Sequence, residues 1–158
     1  MATPKQTPKA DLLRLDRQLC FPLYAASRLV TRLYQPLLEP LGLTYPQYIV
    51  LMILWEDAPC SVSQLGSRAL LNSNTLTPLL KRLEQLGFVR RTRSASDERV
   101  VELSLTAEGA ALKLLCAAIP EQLAKVLGYS GAKVAALKAA LDELVGHLQA
   151  VDLEPNGR

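Results

Sequence analysis

The chain has 158 residues, of which 49% are hydrophobic but only 5% aromatic, and its formal net charge is +3. That length supports one domain with a real core, and a core of Leu, Ala and Val favours helices over a β-sandwich. One histidine, three cysteines without a CxxC pair and no glycine-rich phosphate loop speak against zinc sites, histidine triads, a secreted disulfide framework and ordinary enzyme chemistry.

Residues 1–10 are polar and proline-containing, and are expected to be a disordered tail rather than a secretory signal. The longest apolar run, Tyr48 to Trp55, is shorter than the ~20 residues a membrane helix needs, so a soluble, cytoplasmic protein without a membrane partner is expected. From Asp11, residues Leu12, Leu15 and Leu19 lead into a helix through Leu23, Ala26, Val30 and Leu37 to about Leu41. Pro22 is tolerated in a first turn but not deeper, so the helix starts near Phe21 or kinks there. Either way Cys20 lies near a helix N-terminus, where the positive end of the dipole stabilises a thiolate. The plainer reading of Cys20 is a buried, inert thiol packed as a small hydrophobe.

Thr44 is placed to cap a second helix, with Pro46 in its first turn. The run YPQYIVLMILWE is almost wholly apolar, so this helix should be central and buried. A loop is expected from Asp57 to Cys60. Ser61 and Gln64 then form a capping box that opens a third helix to about Leu71. The turn Leu71 to Ser73 leads to a fourth helix, with Ser73 as N-cap and Gly87 as stop. At about 100° per residue, Leu76, Leu79, Leu80, Leu83 and Leu86 share one arc. Asn74, Thr77, Pro78, Lys81, Arg82 and Gln85 share the opposite arc, which is basic, carries no carboxylate and suits a polyanion.

Phe88 to Arg93 and Arg99 to Leu105 read as two short strands joined by the polar turn SASDE. Arg90, Arg91, Arg93 and Arg99 cluster on this hairpin. A basic helix followed by a basic hairpin is the arrangement of a winged helix-turn-helix on DNA: the helix enters the major groove and the wing lies along the backbone or in the minor groove. Six basic against three acidic residues between Lys81 and Arg99 would equally fit a solvated face. The order helix, glycine stop, basic strand, turn and strand tips the balance towards DNA.

Thr106 should cap a long helix through Leu112, Leu115, Cys116, Ile119, Leu123 and Val126, bent at Pro120 and broken at Gly128 to Gly131. The last helix spaces Val134, Leu137, Leu141, Leu144 and Leu148 by threes and fours, a seam of the kind used between helices. Apolar terminal helices around a winged helix suggest a two-fold homodimer reading a palindromic site. The expected fold is mainly α with a small β-wing. Residues 11–150 form one domain, in which 44–106 are the DNA-binding lobe and 11–43 with 107–150 the dimerisation helices; 151–158 are a tail.

The segment SDER followed by LSLTAEG resembles the MarR family of winged-helix repressors. LRLDRQLCFPLYAASR, LTYPQYIVLMILWE and NTLTPLLKRLEQLGFVRRTRSASDER resemble more narrowly its organic hydroperoxide sensors, the OhrR group, over roughly Leu12 to Leu148. The resemblance implies that Cys20 senses peroxide, and that Tyr34 and Tyr45 hydrogen-bond its thiolate across a dimer interface, with Tyr24 in the same pocket. It implies DNA contacts from Ser73, Asn74, Thr75, Thr77, Lys81 and Arg82 of the recognition helix. Arg91 and Arg93 are expected on phosphates, and Asp97 is expected to hold Arg99 for the minor groove. No cofactor or metal is implied. The partners implied are duplex operator DNA, a second copy of the chain, and an organic hydroperoxide as inducer.

Two positions depart from the group's pattern. Leu70, Leu71, Asn72 and Ser73 stand where it usually has Tyr-Leu-Asp-Ser, and no resolving cysteine lies between residues 125 and 129. Cys116 is then either the resolving thiol or a core residue. A repressor answering phenolic or drug ligands, and a thiol peroxidase using Cys20, are the rival readings.

Overall fold

The computed structural model describes residues 13–94, 97 and 99–151, so the expected N-terminal tail, the expected C-terminal tail beyond Val151 and part of the SASDE turn lie outside the described residues. The chain divides into two compact units, one ending at Cys116 and one beginning at Ala117. The fold is mainly helical with one small sheet.

In the first unit, helix α1 (Cys20–Leu38) starts two residues before Pro22, which therefore sits in the first turn, where its missing N–H costs no helical bond. A short 3-10 turn at Glu39–Leu41 and a left-handed Gly42 (φ 67°) reverse the chain. Helix α2 (Tyr45–Asp57) follows, with the Gln47 side chain accepting the Thr44 N–H at 2.8 Å. It buries Gln47, Tyr48, Val50, Leu51, Ile53 and Leu54, and packs on α1 and on three helices and a strand that follow it in the chain. Its apolar residues surround it because neighbours surround it.

The expected loop before Cys60 is shorter than supposed. Cys60–Ser61 is a strand, β1, paired antiparallel with the wing. Helix α3 (Val62–Ala69) has the expected capping box: Ser61 Oγ accepts the Gln64 N–H at 3.1 Å, and Gln64 Oε1 accepts the Ser61 N–H at 2.8 Å. It ends two residues earlier than expected, because Leu70 adopts the left-handed conformation at φ 54°. Leu70 is the one non-glycine residue at positive φ among the described residues, and is 61% exposed. A left-handed L-residue costs about 1–2 kcal/mol. Leu70→Gly should therefore stabilise the fold by about 0.5–1 kcal/mol, after glycine's greater chain entropy is offset. Thermal melts of the two proteins measure this, and an unchanged or lower Tm is the contrary result.

Helix α4 (Ser73–Gln85) is capped one residue earlier than expected. Asn72, not Ser73, is the N-cap, its Oδ1 accepting the Thr75 N–H at 2.9 Å and the Thr75 hydroxyl at 3.0 Å. The amide oxygen has two acceptor lone pairs, and Thr75 occupies both. Leu76, Leu80 and Leu83 are buried, while Leu79 and Leu86 are half-buried at the edge of the core.

Strands β2 (Val89–Arg93) and β3 (Val101–Leu105) pair antiparallel with Arg91 opposite Leu103, and β1 adds to the far side of β3 in the order β1-β3-β2. Helix α5 (Ala107–Cys116) returns across the base of the wing.

The second unit holds α6 (Ile119–Leu127) and α7 (Gly131–Ala150). The expected bend at Pro120 is a full break. α5 and α6 are separate helices, with Pro120 in the first turn of the second. Gly128 closes α6 at φ 62°, and Ser130 Oγ accepts the Lys133 N–H to start α7. On α7, Val134, Leu137, Leu141, Val145 and Leu148 are all exposed. No single helix among the described residues is long and apolar enough to cross a membrane.

Candidate nucleic-acid interface and thiol site

The sequence-expected contacts on α4 all face solvent: Ser73, Asn74, Thr75, Thr77, Lys81 and Arg82 are exposed, opposite the buried leucines. Thr77 is held by its hydroxyl, which donates to the Ser73 carbonyl at 2.7 Å. Pro78 lies deeper in the helix than a first turn and has no N–H for the Asn74 carbonyl.

Beside α4 runs a cleft of about 840 Å³ between the two helices and the wing. Arg91 and Arg99 line one wall, and Ser61, Ser63, Ser67, Asn72 and Ser73 the other. Among the described residues no carboxylate lines it, and neither α3 nor α4 carries an acidic residue in its first turn. Two helix N-termini without an acidic first turn therefore lie beside two guanidinium groups, an arrangement suited to phosphate oxygens. Sequence reasoning missed Ser63 and Ser67. Their spacing of four places them on one face of α3, but a short serine-bearing helix carries no charge signal.

On the wing, Arg91 and Arg93 lie on the same face of β2 as Val89, and Arg90 and Thr92 on the other. Arg91 is half-buried and Arg93 exposed. The Asp97–Arg99 pairing takes a different form from the one expected. The Asp97 carboxylate accepts the backbone N–H of Arg99 at 3.0 Å, and the Asp97 carbonyl accepts the Val100 N–H at 2.9 Å. Asp97 thus shapes the turn by an Asx-type bond and orients Arg99 through its backbone.

Cys20 is the first residue of α1 and is exposed, where the plainer reading expected it buried. Around it Leu19, Phe21 and Tyr24 are also exposed. Tyr24 lies one turn further on, with the Arg28 guanidinium 5.7 Å from its ring centre. Tyr34 lies fourteen residues along the same helix, about 21 Å of rise away. There it stacks on Tyr45 with ring centres 4.6 Å apart, and on Tyr48 at 5.7 Å. The structure therefore brings the two expected tyrosines together and adds Tyr48, but within one chain it does not bring them to Cys20. Tyr48 was legible only as one apolar residue in an apolar run. Tyr45 also walls a groove of about 710 Å³ with Arg28, Thr31, Arg32 and Glu39.

Burial pushes all three phenols up, Tyr48 to about 12, with its neighbours Tyr34, Cys116 and Tyr45 adding to the effect. Tyr48 is 3% exposed. Its neutral form is favoured in the folded chain, so the stability it carries is complete below pH 10 and is lost as pH rises through about 12. Two pH units correspond to a loss on the order of 2 kcal/mol. Urea melts at pH 8 and pH 11.5 should show this fall in the native protein, and a smaller one in Tyr48→Phe. Equal falls in both would place the alkaline transition elsewhere.

Cys116 is 2% exposed at the end of α5, and burial pushes its thiol up. That environment disfavours the thiolate a resolving cysteine needs, and matches the core role instead. Cys60 is likewise buried in β1, its thiol pushed up by burial and by Asp57, against a smaller opposing effect from Arg68. Among the described residues no three His, Cys, Asp or Glu side chains gather to hold a metal.

The family pattern described as transcriptional regulator SarA/Rot matches residues 32–114. The chain is 47% identical over 137 residues to the organic hydroperoxide resistance transcriptional regulator of Bacillus subtilis, covering 87% of this chain and 93% of that protein. It is 47% identical over 139 residues to the HTH-type transcriptional regulator TtmR of Methylorubrum extorquens, covering 88% and 70%. Among solved structures, AbfR of Staphylococcus epidermidis superposes with a TM-score of 0.73 at 37% identity, covering 90% of this chain and 98% of that one. AbfR has also been solved reduced on DNA, with a TM-score of 0.72, and in a disulfide form, with a TM-score of 0.60. The helix-turn-helix, the arginine-lined cleft and these relatives agree: the chain is a DNA-binding regulator rather than an enzyme, and it belongs to the MarR family of winged helix-turn-helix transcriptional regulators, in the organic hydroperoxide resistance group.

Proposed function

We propose that this chain is a dimeric, peroxide-responsive repressor of the cytoplasm, which binds a palindromic operator when reduced and releases it when Cys20 is oxidised. One observation carries the reading. Cys20 is an exposed thiol at one end of α1, and the stacked tyrosines lie at the other end of the same helix. Tyr34 and Tyr45 of one copy can serve the thiol only of a second copy running antiparallel to it. The apolar residues around Cys20 and along α7 supply the faces for such a dimer. The segments 11–43 and 107–150 are its dimerisation helices. A sensor shared between two chains makes oxidation a change at the dimer interface.

The chemistry balances without a cofactor. The Cys20 sulfur attacks the terminal oxygen of an organic hydroperoxide, the O–O bond breaks, and the alkoxide takes a proton to leave as the alcohol. Sulfur is oxidised to sulfenic acid and the peroxide reduced. A small thiol then caps the sulfenate as a mixed disulfide with loss of water. The phenols no longer meet the bare Cys20 sulfur, the helices at the interface shift, and the two recognition helices change their spacing. The operator fixes half-site spacing, so contacts are lost at about 1–3 kcal/mol for each base.

The test is a mobility shift with Cys20→Ser. The variant should bind operator as the native protein does and ignore cumene hydroperoxide. Release of operator from the oxidised variant would place the sensor elsewhere. The groove beside Tyr45, with Arg28 and Arg32 on its wall, favours a second reading in which a phenolic acid is the inducer. That reading requires release under reducing conditions, and from Cys20→Ser as well.

A further inference from the structure

The tyrosine stack does not end at Tyr48. The Tyr48 ring meets Trp55, two turns further along α2, edge-on with centres 6.1 Å apart. The Trp55 indole N–H donates to the Gly109 carbonyl on α5 at 2.8 Å. Gly109 lies against the backbone of Phe88, so closely that a Cβ on it would stand 2.0 Å from the Phe88 oxygen. The Gly109 N–H donates to the Thr106 hydroxyl at 3.0 Å, which itself donates to the Gly87 carbonyl at 2.6 Å, and the Thr106 N–H donates to the Phe88 carbonyl at 3.1 Å. Gly87 and Phe88 are the joint between the recognition helix and the wing. Phe88 closes α4 by donating its N–H to the Leu83 carbonyl, and β2 begins at the next residue.

We propose that Trp55 is a positioning residue that couples the sensing tyrosines to the DNA-reading elements, its indole N–H tying the stack of Tyr34, Tyr45 and Tyr48 to the joint between α4 and β2. The proposal rests on the peroxide-sensing reading above. The contacts from phenol to joint are unbroken and lie within one compact unit. Each link is a pair of neighbouring rings, a hydrogen bond or a close backbone approach. The end of the route is a place without slack, because the Gly109 and Phe88 backbones already touch. A shift of Tyr34 or Tyr45 therefore moves Trp55, and Trp55 moves the segment that holds α4 and the wing in register. Such a route is established only when both ends bias the same element, which a substitution in its middle can test.

The experiment uses the full-length protein and Trp55→Phe, which keeps an aromatic ring but removes the donor. For each, operator affinity is measured reduced and after cumene hydroperoxide, with Cys20 oxidation followed by mass spectrometry. Trp55→Phe should bind operator within about threefold of the native protein when reduced, and oxidise Cys20 at the same rate. Its loss of affinity on oxidation should be at least tenfold smaller. A purely structural role would weaken reduced binding and leave the oxidised-to-reduced ratio unchanged, and that result overturns the proposal. Trp55 is the single tryptophan of the chain, so its fluorescence gives a second measurement that needs no variant at the route. Emission should change with the same peroxide dependence as operator release, and not at all in Cys20→Ser. Constant emission through release overturns the coupling while leaving the sensor reading intact. Native protein that keeps its operator after Cys20 is oxidised overturns the sensor reading, and the coupling with it.

Discussion

Replacing Gly109 with alanine should destabilise the fold by about 3 kcal/mol or more, which is the cost of forcing apart two backbones that already touch. The added Cβ would stand 2.0 Å from the Phe88 carbonyl oxygen and 2.9 Å from its carbon. Neither atom belongs to a flexible side chain, so relief requires α5 to move off the start of β2. That movement stretches the hydrogen bonds of Thr106 to Gly87 and Phe88, and that of Trp55 to Gly109. Each is worth about 1 kcal/mol. Against a typical stability of about 5–15 kcal/mol the loss is large, and it corresponds to roughly 10 °C in Tm for a chain of this size. Urea or thermal unfolding measures it. An alanine variant within about 1 kcal/mol of the native protein would show that the junction is looser than its geometry indicates. The effect gives a physical reason for the glycine in the LSLTAEG segment: only hydrogen fits where α5 crosses the base of the wing.

Arg82→Ala should leave the fold intact and abolish tight operator binding. Arg82 is exposed on α4, and alanine is a good helix former, so stability should change by no more than about 0.5 kcal/mol. A lost base contact costs about 1–3 kcal/mol in one half-site, and a two-fold dimer loses it twice. The total of about 2–6 kcal/mol is roughly 30-fold to more than 10⁴-fold in affinity. Lys81→Ala, if its ammonium meets a phosphate, should weaken specific and non-specific duplexes alike, and reduce the salt slope by about one unit per copy. Lys138→Ala is the control, since Lys138 is exposed on α7 in a pair with Asp142. Fluorescence anisotropy with operator and scrambled duplexes at several salt concentrations reads all three. Operator affinity within threefold of native for Arg82→Ala would remove that residue from the interface.

Several elements were legible from residue order because their signals are local. A capping box needs only Ser61 and Gln64 three residues apart, and both of its hydrogen bonds are present. The polar arc of α4 is a consequence of 3.6 residues per turn, and every residue placed on it is exposed. Where two local solutions compete, the outcome is less legible. Asn72 and Ser73 are both good caps, and the helix uses the earlier one. The strand at Cys60 and the early end of α3 at Leu70 are no more legible. β1 is a strand because it pairs with β3, some forty residues away, and Leu70 takes the left-handed conformation that no apolar period signals.

By itself the order of residues determined the class of this protein: helices from their apolar periods, a wing from two short strands around a polar turn, and a basic face without carboxylates. Those properties follow from neighbours within a few residues, and no distant contact is needed to read them. Tertiary structure alone decided which groups meet. It placed Tyr48 and Trp55 in line behind Tyr34 and Tyr45, buried Cys116 while leaving Cys20 in solvent, and set Arg91 and Arg99 across a cleft from the starts of two helices. Proximity of that kind arises from the packing of α2 against elements far from it in the chain, and burial is a property of the whole that no single segment carries.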